Sequence, residues 1–284
     1  MADLKIGLDE WSFHNSMMAR KMTLEDFFVK AGELGVQGVG FDYFMLPRSL
    51  RKDTARLKEL LEANSLEPVF GFGVPFALPG AALQLLESRK GEMFEIAHHV
   101  GAKVIRVAGG VVVPIMVAKP VHLTLNREKE IERVSRRLKR FVEDAEMEDL
   151  TVAIENHSDY TTAEMVEIME RVGSEKLKVT LDTGNAMYLG EDPVETARTL
   201  APHAAYTHIK DMKKQGLFVL STGLGEGEID VPAVVNALKE SGYGGLYSIE
   251  VDLPLWRVGD EVETVAGSVE YLRSLLTPEG GVSG

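Results

Sequence analysis

Four apolar segments in the second half of the chain each run directly into an acid or an imidazole. They are Val152-Ala153-Ile154-Glu155-Asn156-His157, Val179-Thr180-Leu181-Asp182-Thr183-Gly184-Asn185, Tyr206-Thr207-His208-Ile209-Lys210-Asp211 and Tyr247-Ser248-Ile249-Glu250-Val251-Asp252. A buried carboxylate without a partner is costly, so Glu155, Asp182 and Glu250 need a shared positive charge if their segments are neighbours. A divalent cation supplies it. With the imidazole of His208 they form a hard, oxygen-rich donor set that keeps positions open for water or substrate. Such a set suits Mn²⁺ first, with Mg²⁺, Co²⁺ or Zn²⁺ as alternatives, and differs from a closed structural zinc centre. Taken singly, each acid reads more often as a helix cap or a solvated loop residue than as chemistry. Three acids and an imidazole at the ends of four consecutive segments are hard to explain by capping.

The elements that must position these side chains follow a βα rhythm. Strand-like runs lie at Leu4–Leu8, Val36–Phe41, Glu67–Phe72, Lys103–Ala108, Thr151–Glu155, Lys178–Asp182, Ala205–Lys210 and Gly245–Val251. Helical patterns between and after them cover Thr23–Leu34, Ser49–Asn64, Ala81–Val100, Arg127–Glu146, Thr162–Val172, Pro193–Leu200, Val231–Ser241 and Glu261–Leu276. Thr23 with Asp26, and Thr162 with Glu164, read as capped helix starts. Eight such units fill the 284 residues, which predicts a single (β/α)8 TIM barrel over 1–284 with its chemistry at the C-terminal ends of the strands. A doubly wound sheet would want a glycine fingerprint after the first strand, and Gly7-Leu8-Asp9-Glu10-Trp11 is not one.

Composition narrows the function further. The formal charge is −13, and an acidic surface repels phosphate backbones, so no nucleic-acid partner is expected. The chain has no cysteine, which excludes disulfides, thiolate metal sites and Cys nucleophiles. Met1-Ala2-Asp3-Leu4-Lys5 enters a strand pattern without a basic leader, which points to the cytoplasm. The longest apolar run, Val111–Ala118, contains Pro114 and is too short to span a bilayer. No membrane partner is expected.

Ile154-Glu155-Asn156-His157, Leu181-Asp182-Thr183-Gly184-Asn185, Thr207-His208-Ile209-Lys210-Asp211, Gly223-Leu224-Gly225-Glu226-Gly227-Glu228-Ile229-Asp230 and Ser248-Ile249-Glu250-Val251 resemble the sugar phosphate isomerase/epimerase superfamily, the xylose isomerase-like barrels. The resemblance extends over essentially the whole chain and is specific in its second half. It implies a metal held by Glu155, Asp182, His208 and Glu250, a small sugar or polyol substrate, and a homo-oligomer. One position departs from the ketose 3-epimerases of that superfamily. They usually carry a substrate-binding histidine three residues after the metal-binding aspartate, where this chain has Asn185. Asparagine hydrogen-bonds a hydroxyl but carries neither charge nor a transferable proton.

A cation chelating a carbonyl oxygen and the neighbouring hydroxyl acidifies the C–H between them and stabilises the enediolate that forms. Glu155 and Glu250 are the expected catalytic bases, approaching from opposite faces. Proton return to the opposite face gives an epimer, return to the adjacent carbon gives an isomer, and loss of a β-hydroxyl gives dehydration. An isomerase or epimerase is the leading expectation, and a dehydratase or 3-keto-glycoside lyase the alternative. A phosphodiester hydrolase would want extra histidines on earlier strands, which the 7 histidines of the chain do not provide.

Other substrate contacts are expected at His157, Asn185, Lys210, Arg106, Trp11 and Trp256. Strand alternation places Lys210 on the side of His208, and His157 on the side of Glu155. Lys210 reads equally as a cation for the oxyanion or as an ion-pair partner, and His157 as a ligand of substrate or as a loop closure. Arg106 would meet either an anionic substrate group or a barrel carboxylate. Trp11, Phe13, Phe72 and Trp256 offer an apolar wall, or simply core. The Gly-rich run before Val231 is weak as a phosphate loop, and Asp230 reads as the N-cap of the following helix. The charged stretch Arg127–Glu148 reads as a solvated helix face, and His98 and His99 are assigned no role.

Overall fold

Eight short strands carry the apolar runs seen in the sequence. They are β1 (Lys5–Asp9), β2 (Gly38–Asp42), β3 (Glu67–Phe72), β4 (Val104–Val107), β5 (Thr151–Glu155), β6 (Leu177–Asp182), β7 (Ala204–His208) and β8 (Leu246–Ile249). The computed structural model describes residues 4–73, 75–78, 80–110, 112–113, 121–122, 126–257 and 260–277. Met1–Asp3, most of the apolar run Val111–Ala118 and the tail Pro278–Gly284 lie outside the described residues.

All eight strands belong to one sheet in the order β8-β1-β2-β3-β4-β5-β6-β7, and each paired neighbour is parallel. The sheet closes on itself where β7 meets β8 through the single bridge Ile209 to Ile249. Ile209 N–H donates to Ser248 O at 2.6 Å and Glu250 N–H donates to Ile209 O at 3.2 Å. The architecture is therefore the TIM barrel that the βα rhythm predicts.

The helices that follow the strands are α1 (Leu24–Glu33), α2 (Thr54–Ala63), α3 (Gly80–Val100), α4 (Arg127–Met147), α5 (Thr162–Val172), α6 (Pro193–Leu200), α7 (Val231–Glu240) and α8 (Glu261–Leu276). Their apolar faces pack on the outside of the sheet: on α1 Phe27 packs on Phe28, Phe28 meets Phe41 of β2, and Phe41 meets Phe70 of β3, with ring centroids 5.3 to 5.6 Å apart. On α4, Ile131, Val134, Leu138, Phe141 and Val142 are buried while the intervening charges are mostly exposed, as the charge pattern predicts. His98 forms only an exposed pair with Glu148 at 3.0 Å. Among the described residues, no helix is long and apolar enough to cross a membrane.

Local chemistry sets the boundaries, and in three places it corrects the sequence reading. The helix expected over Ser49–Asn64 is broken at Asp53, whose carboxylate accepts from Arg56 N–H at 3.0 Å and starts α2 afresh. The cap of α5 is Thr161 rather than Thr162: Thr161 and Glu164 form a reciprocal capping box, as Thr23 and Asp26 do on α1. The Gly-rich run is preceded by an unforeseen hairpin, Asp211–Gln215 with Phe218–Thr222. That run wraps one carboxylate: Gly225, Gly227 and Ile229 donate backbone N–H groups to Asp211 at 3.0, 2.8 and 3.1 Å. A Cβ on Gly227 would overlap Asp211, so this glycine makes room for an aspartate nest. Asp230 caps α7 by accepting from Ala233 N–H at 3.0 Å.

Candidate metal centre and its cavity

The ends of β5 to β8 bring Glu155, Asp182, His208 and Glu250 together, with one ligand atom from each inside 4.8 Å of the others and all four residues buried. Nδ1 of His208 is the focus. It lies 2.6 Å from Glu250 Oε2, 3.3 Å from Glu155 Oε1 and 3.6 Å from Asp182 Oδ2. Donor atoms sharing a hard cation with bonds of about 2.1 Å stand about 3 to 4 Å apart, so the spacing fits one ion. Asp182 Oδ2 and Glu250 Oε2 are buried without a well-formed hydrogen bond, although cationic groups lie within ion-pair distance. Such atoms are what a bound cation would satisfy.

The sequence around each donor explains its aim. Asp182 Oδ1 accepts from the N–H groups of Gly184 and Asn185 at 2.8 and 3.0 Å, which turns Oδ2 toward His208. Asn156, directly after Glu155, stitches β5 to β6: its Oδ1 accepts from Asp182 N–H at 2.7 Å and its Nδ2 donates to Asp182 O at 2.9 Å. Thr183 does the same between β6 and the segment after β7, accepting from Lys210 N–H and donating to Lys210 O, both at 2.8 Å.

Behind the donors lies a charged layer of which the sequence reading singled out only Arg106. Nε2 of His208 faces Asp9 Oδ2 at 3.3 Å, and the same oxygen is 3.4 Å from the Arg106 guanidinium. Arg106 also reaches Glu155 at 3.6 Å, so of its two expected partners the structure shows the barrel carboxylates. A carboxylate behind a ligating histidine fixes its tautomer and ring orientation. Gly40 of β2 leaves space for this layer, since a Cβ there would overlap Asp9 Oδ2 and the Tyr206 hydroxyl. Asp9 and Asp42 end β1 and β2 and Glu10 follows β1, so the strand-end rule used for the later strands would have found all three.

The charges are strongly interdependent. Burial alone would raise Glu155, but the His208 imidazole, its hydrogen bond and Arg106 pull it down to about 2. Burial likewise opposes ionisation of Glu250, and His208 and Lys210 outweigh it and hold its carboxyl well below the ordinary range. Burial disfavours the charged forms of His208 and Lys210, yet the surrounding carboxylates, Glu250 and Glu155 for the histidine and Asp182 and Glu250 for the lysine, push both well upward. Glu10 behaves oppositely. Burial first, then Asp42 and Asp9, raise its carboxyl well above the ordinary range, and its Oε2 has no hydrogen-bond partner.

A cavity of about 680 Å³ opens above this cluster. His157, Asn185, Lys210, Arg106, Trp11 and Trp256 all line it. Lys210 stands 3.0 Å from Asp182 and 2.9 Å from Glu250, and Nδ2 of Asn185 is buried without a partner. Phe13 and Phe72 do not contribute. Both are fully buried in the core, where apolar packing outweighs exposure at the mouth.

With the fold and site in view, comparison with known proteins places the chain. Residues 28–275 match the model of the family described as xylose isomerase-like TIM barrel, and the chain belongs to that family. It is similar to the inosose dehydratase of Lacticaseibacillus casei, 28% identical over 265 residues that cover 83% of this chain and 84% of that protein. It is also similar to the inosose dehydratase of Bacillus thuringiensis strain Al Hakam, 23% identical over 274 residues, 88% of this chain and 90% of that one. Among solved structures, the IolI protein with a binding zinc atom shares the fold at a TM-score of 0.80, with 18% identity over 96% of this chain and 98% of that one. A D-tagatose 3-epimerase-like protein does so at 0.72, with 22% identity over 96% and 98%.

Proposed function

We propose that this protein is a divalent-metal-dependent enzyme that removes the proton α to the carbonyl of a keto-sugar or cyclitol ketone and returns it to give an epimer or isomer. The observation that carries the reading is the convergence of three carboxylates on the imidazole nitrogen of His208, in a donor set that fits one hard cation. Glu155, Asp182, His208 and Glu250 would hold the ion, Mn²⁺ before Mg²⁺, Co²⁺ or Zn²⁺ on the weight of carboxylate. When bound, the cation draws electrons from a carbonyl and its neighbouring hydroxyl and so acidifies the C–H between them.

The remaining steps belong to the chain. Glu155 and Glu250 reach the cluster from β5 and from beyond β8, so one removes the proton and the other delivers it from a different wall. Lys210 adds a fixed positive charge where the oxyanion develops. Asn185 offers its free N–H to a substrate hydroxyl.

A dehydratase is the second reading, and two observations favour it. The curated relatives at 23 to 28% identity are inosose dehydratases, and Asn185 stands where ketose 3-epimerases usually have histidine. Elimination of a hydroxyl as water needs a proton donor that epimerisation does not. Glu10 lines the cavity, and burial together with the acids beside it raises its carboxyl well above the ordinary range, the direction that suits a proton donor to the leaving oxygen.

The test is incubation with Mn²⁺ in deuterated water against a panel of ketoses and inososes. Deuterium entering a carbon α to the carbonyl supports proton abstraction, and enone absorbance in the ultraviolet separates dehydration from epimerisation. Absence of exchange and of elimination across the whole panel would falsify the reading.

A further inference from the structure

The exposed apolar side chains of this protein are not scattered. Ten large hydrophobic residues are exposed among the described residues, and five of them, Trp11, Met18, Phe44, Leu255 and Trp256, line the cavity above the carboxylate cluster. Single exposed hydrophobics need no explanation, whereas a gathered set beside a polar site does. Trp256 is 74% exposed and Phe44 47%. These residues follow β1, β2 and β8, three neighbours in the barrel, while the cation donors come from β5 to β8. The exposed apolar side chains thus gather on the β8, β1 and β2 side of the mouth, which also carries Asp9, Glu10 and Asp42 in its lining.

Two of these aromatic rings, Trp11 and Phe44, are held in place. The Trp11 indole stacks on the His14 ring at 5.0 Å and 12°. His14 is itself fixed by contact with Trp11 O at 2.8 Å and with Asp252 at 3.5 Å. Phe44 packs edge-on to Tyr43 at 5.2 Å and tilted on Phe72 at 5.4 Å. Rigid aromatic surface lowers the ordering cost of a ligand. The volume of about 680 Å³ lies within the range that accommodates drug-sized molecules and exceeds what one sugar ring fills.

We propose that the substrate is a polyol ketone bearing an aromatic substituent, and that Trp11, Phe44 and Trp256 form the subsite for that substituent. This rests on the reading of the polar side as a ketone-binding centre. A small-molecule occupant follows from continuity: the wall and the polar cluster bound the same cavity, so one ligand touches both.

The chain's only two tryptophans both stand on this wall, so intrinsic fluorescence reports on it alone. The probes are the phenyl and methyl 3-keto-β-D-glucopyranosides, titrated into the full chain with Mn²⁺ and followed by fluorescence and calorimetry. The phenyl compound is expected to bind at least tenfold more tightly and to change the tryptophan emission. Trp256→Ala and Phe44→Ala should each shrink that preference to under threefold, while Mn²⁺ affinity, read by calorimetry, stays unchanged and shows the variants folded. Equal affinity for the two compounds, or binding of neither, overturns the proposal. So does a dimer in light scattering that Trp256→Ala dissociates, because a second copy then covers the wall. If wild-type and Asp182→Asn proteins both fail to bind Mn²⁺ but the phenyl preference persists, the proposed function falls and the aromatic subsite stands.

Discussion

The two sides of the cavity mouth share one scaffold and differ in almost everything placed upon it. On the side of β5 to β8, the strand ends are cross-braced: Asn156 and Thr183 tie neighbouring strands, and the donors around His208 are buried and mutually charged. On the side of β8, β1 and β2, the walls are aromatic and exposed, and the charges, Asp9, Glu10 and Asp42, sit beneath them. Charge needs a network to survive burial, and that network must be rigid to be worth its desolvation. Apolar surface needs only a place to stand. One side is therefore suited to chemistry and the other to recognition.

The largest effect that would break this contrast is expected at Asp182. Asp182→Asn removes a negative donor and should weaken Mn²⁺ binding on the order of a hundredfold, about 3 kcal/mol, measured by calorimetry. An unchanged affinity would mean that the braced side is merely structural.

Asp159, in the segment after β5, tests what surplus burial costs there. Its carboxyl is buried and accepts from Gly110 N–H, and burial raises it from 3.8 to about 6 despite His157 and that hydrogen bond. The folded state holds the proton more tightly than the unfolded one, so this group's contribution is complete below pH ~4 and is lost as pH rises through about 6. Asp159→Asn should therefore stabilise the protein at pH 8 by up to about 3 kcal/mol in urea unfolding, and by less than about 1 kcal/mol at pH 4.

Asp9 connects the two sides, since it follows the apolar side's strand order but braces His208. Asp9→Asn should lower Mn²⁺ affinity about tenfold, the low end for loss of a group behind a metal ligand. Its effect on the phenyl preference should be negligible, and a large one would blur the division. Smallest are the helix caps. Thr23→Ala on α1 and Thr161→Ala on α5 should each cost about 1 kcal/mol in stability with no change in Mn²⁺ affinity. Equal losses would show that the scaffold is the same beneath both sides.

This contrast also explains what was legible in the sequence. The braced side announces itself because Glu155, Asp182, His208 and Glu250 interrupt apolar runs, and a charge at the end of a buried strand demands a reason. The aromatic side is written in short loop residues such as Phe44 and Leu255, which follow no periodicity. Trp11 and Trp256 were foreseen as a possible wall, but nothing in the sequence separates them from Phe13 and Phe72, which the structure buries. The hairpin Asp211–Gln215 with Phe218–Thr222 was hidden because Lys213, Lys214 and Gln215 are exposed and present no apolar alternation. Barrel and helices were readable to within a few residues, except where a single side chain such as Asp53 or Thr161 reset a boundary.

The single bridge that closes the barrel has a consequence for the order in which the protein becomes competent. It joins Ile209, just after β7, to Ile249 of β8, and β8 also pairs with β1 from Lys5–Leu246 to Leu8–Ile249, so the last strand completes the ring between β7 and the earliest strand. His208 and Glu250 stand on the two sides of that seam. A chain emerging from the ribosome can assemble β1 to β7 without gathering all four donors, and it acquires the fourth only when Leu246–Ile249 is inserted. Such long-range closure is slow relative to local pairing. The four-residue cluster is therefore complete only once this last strand is in place.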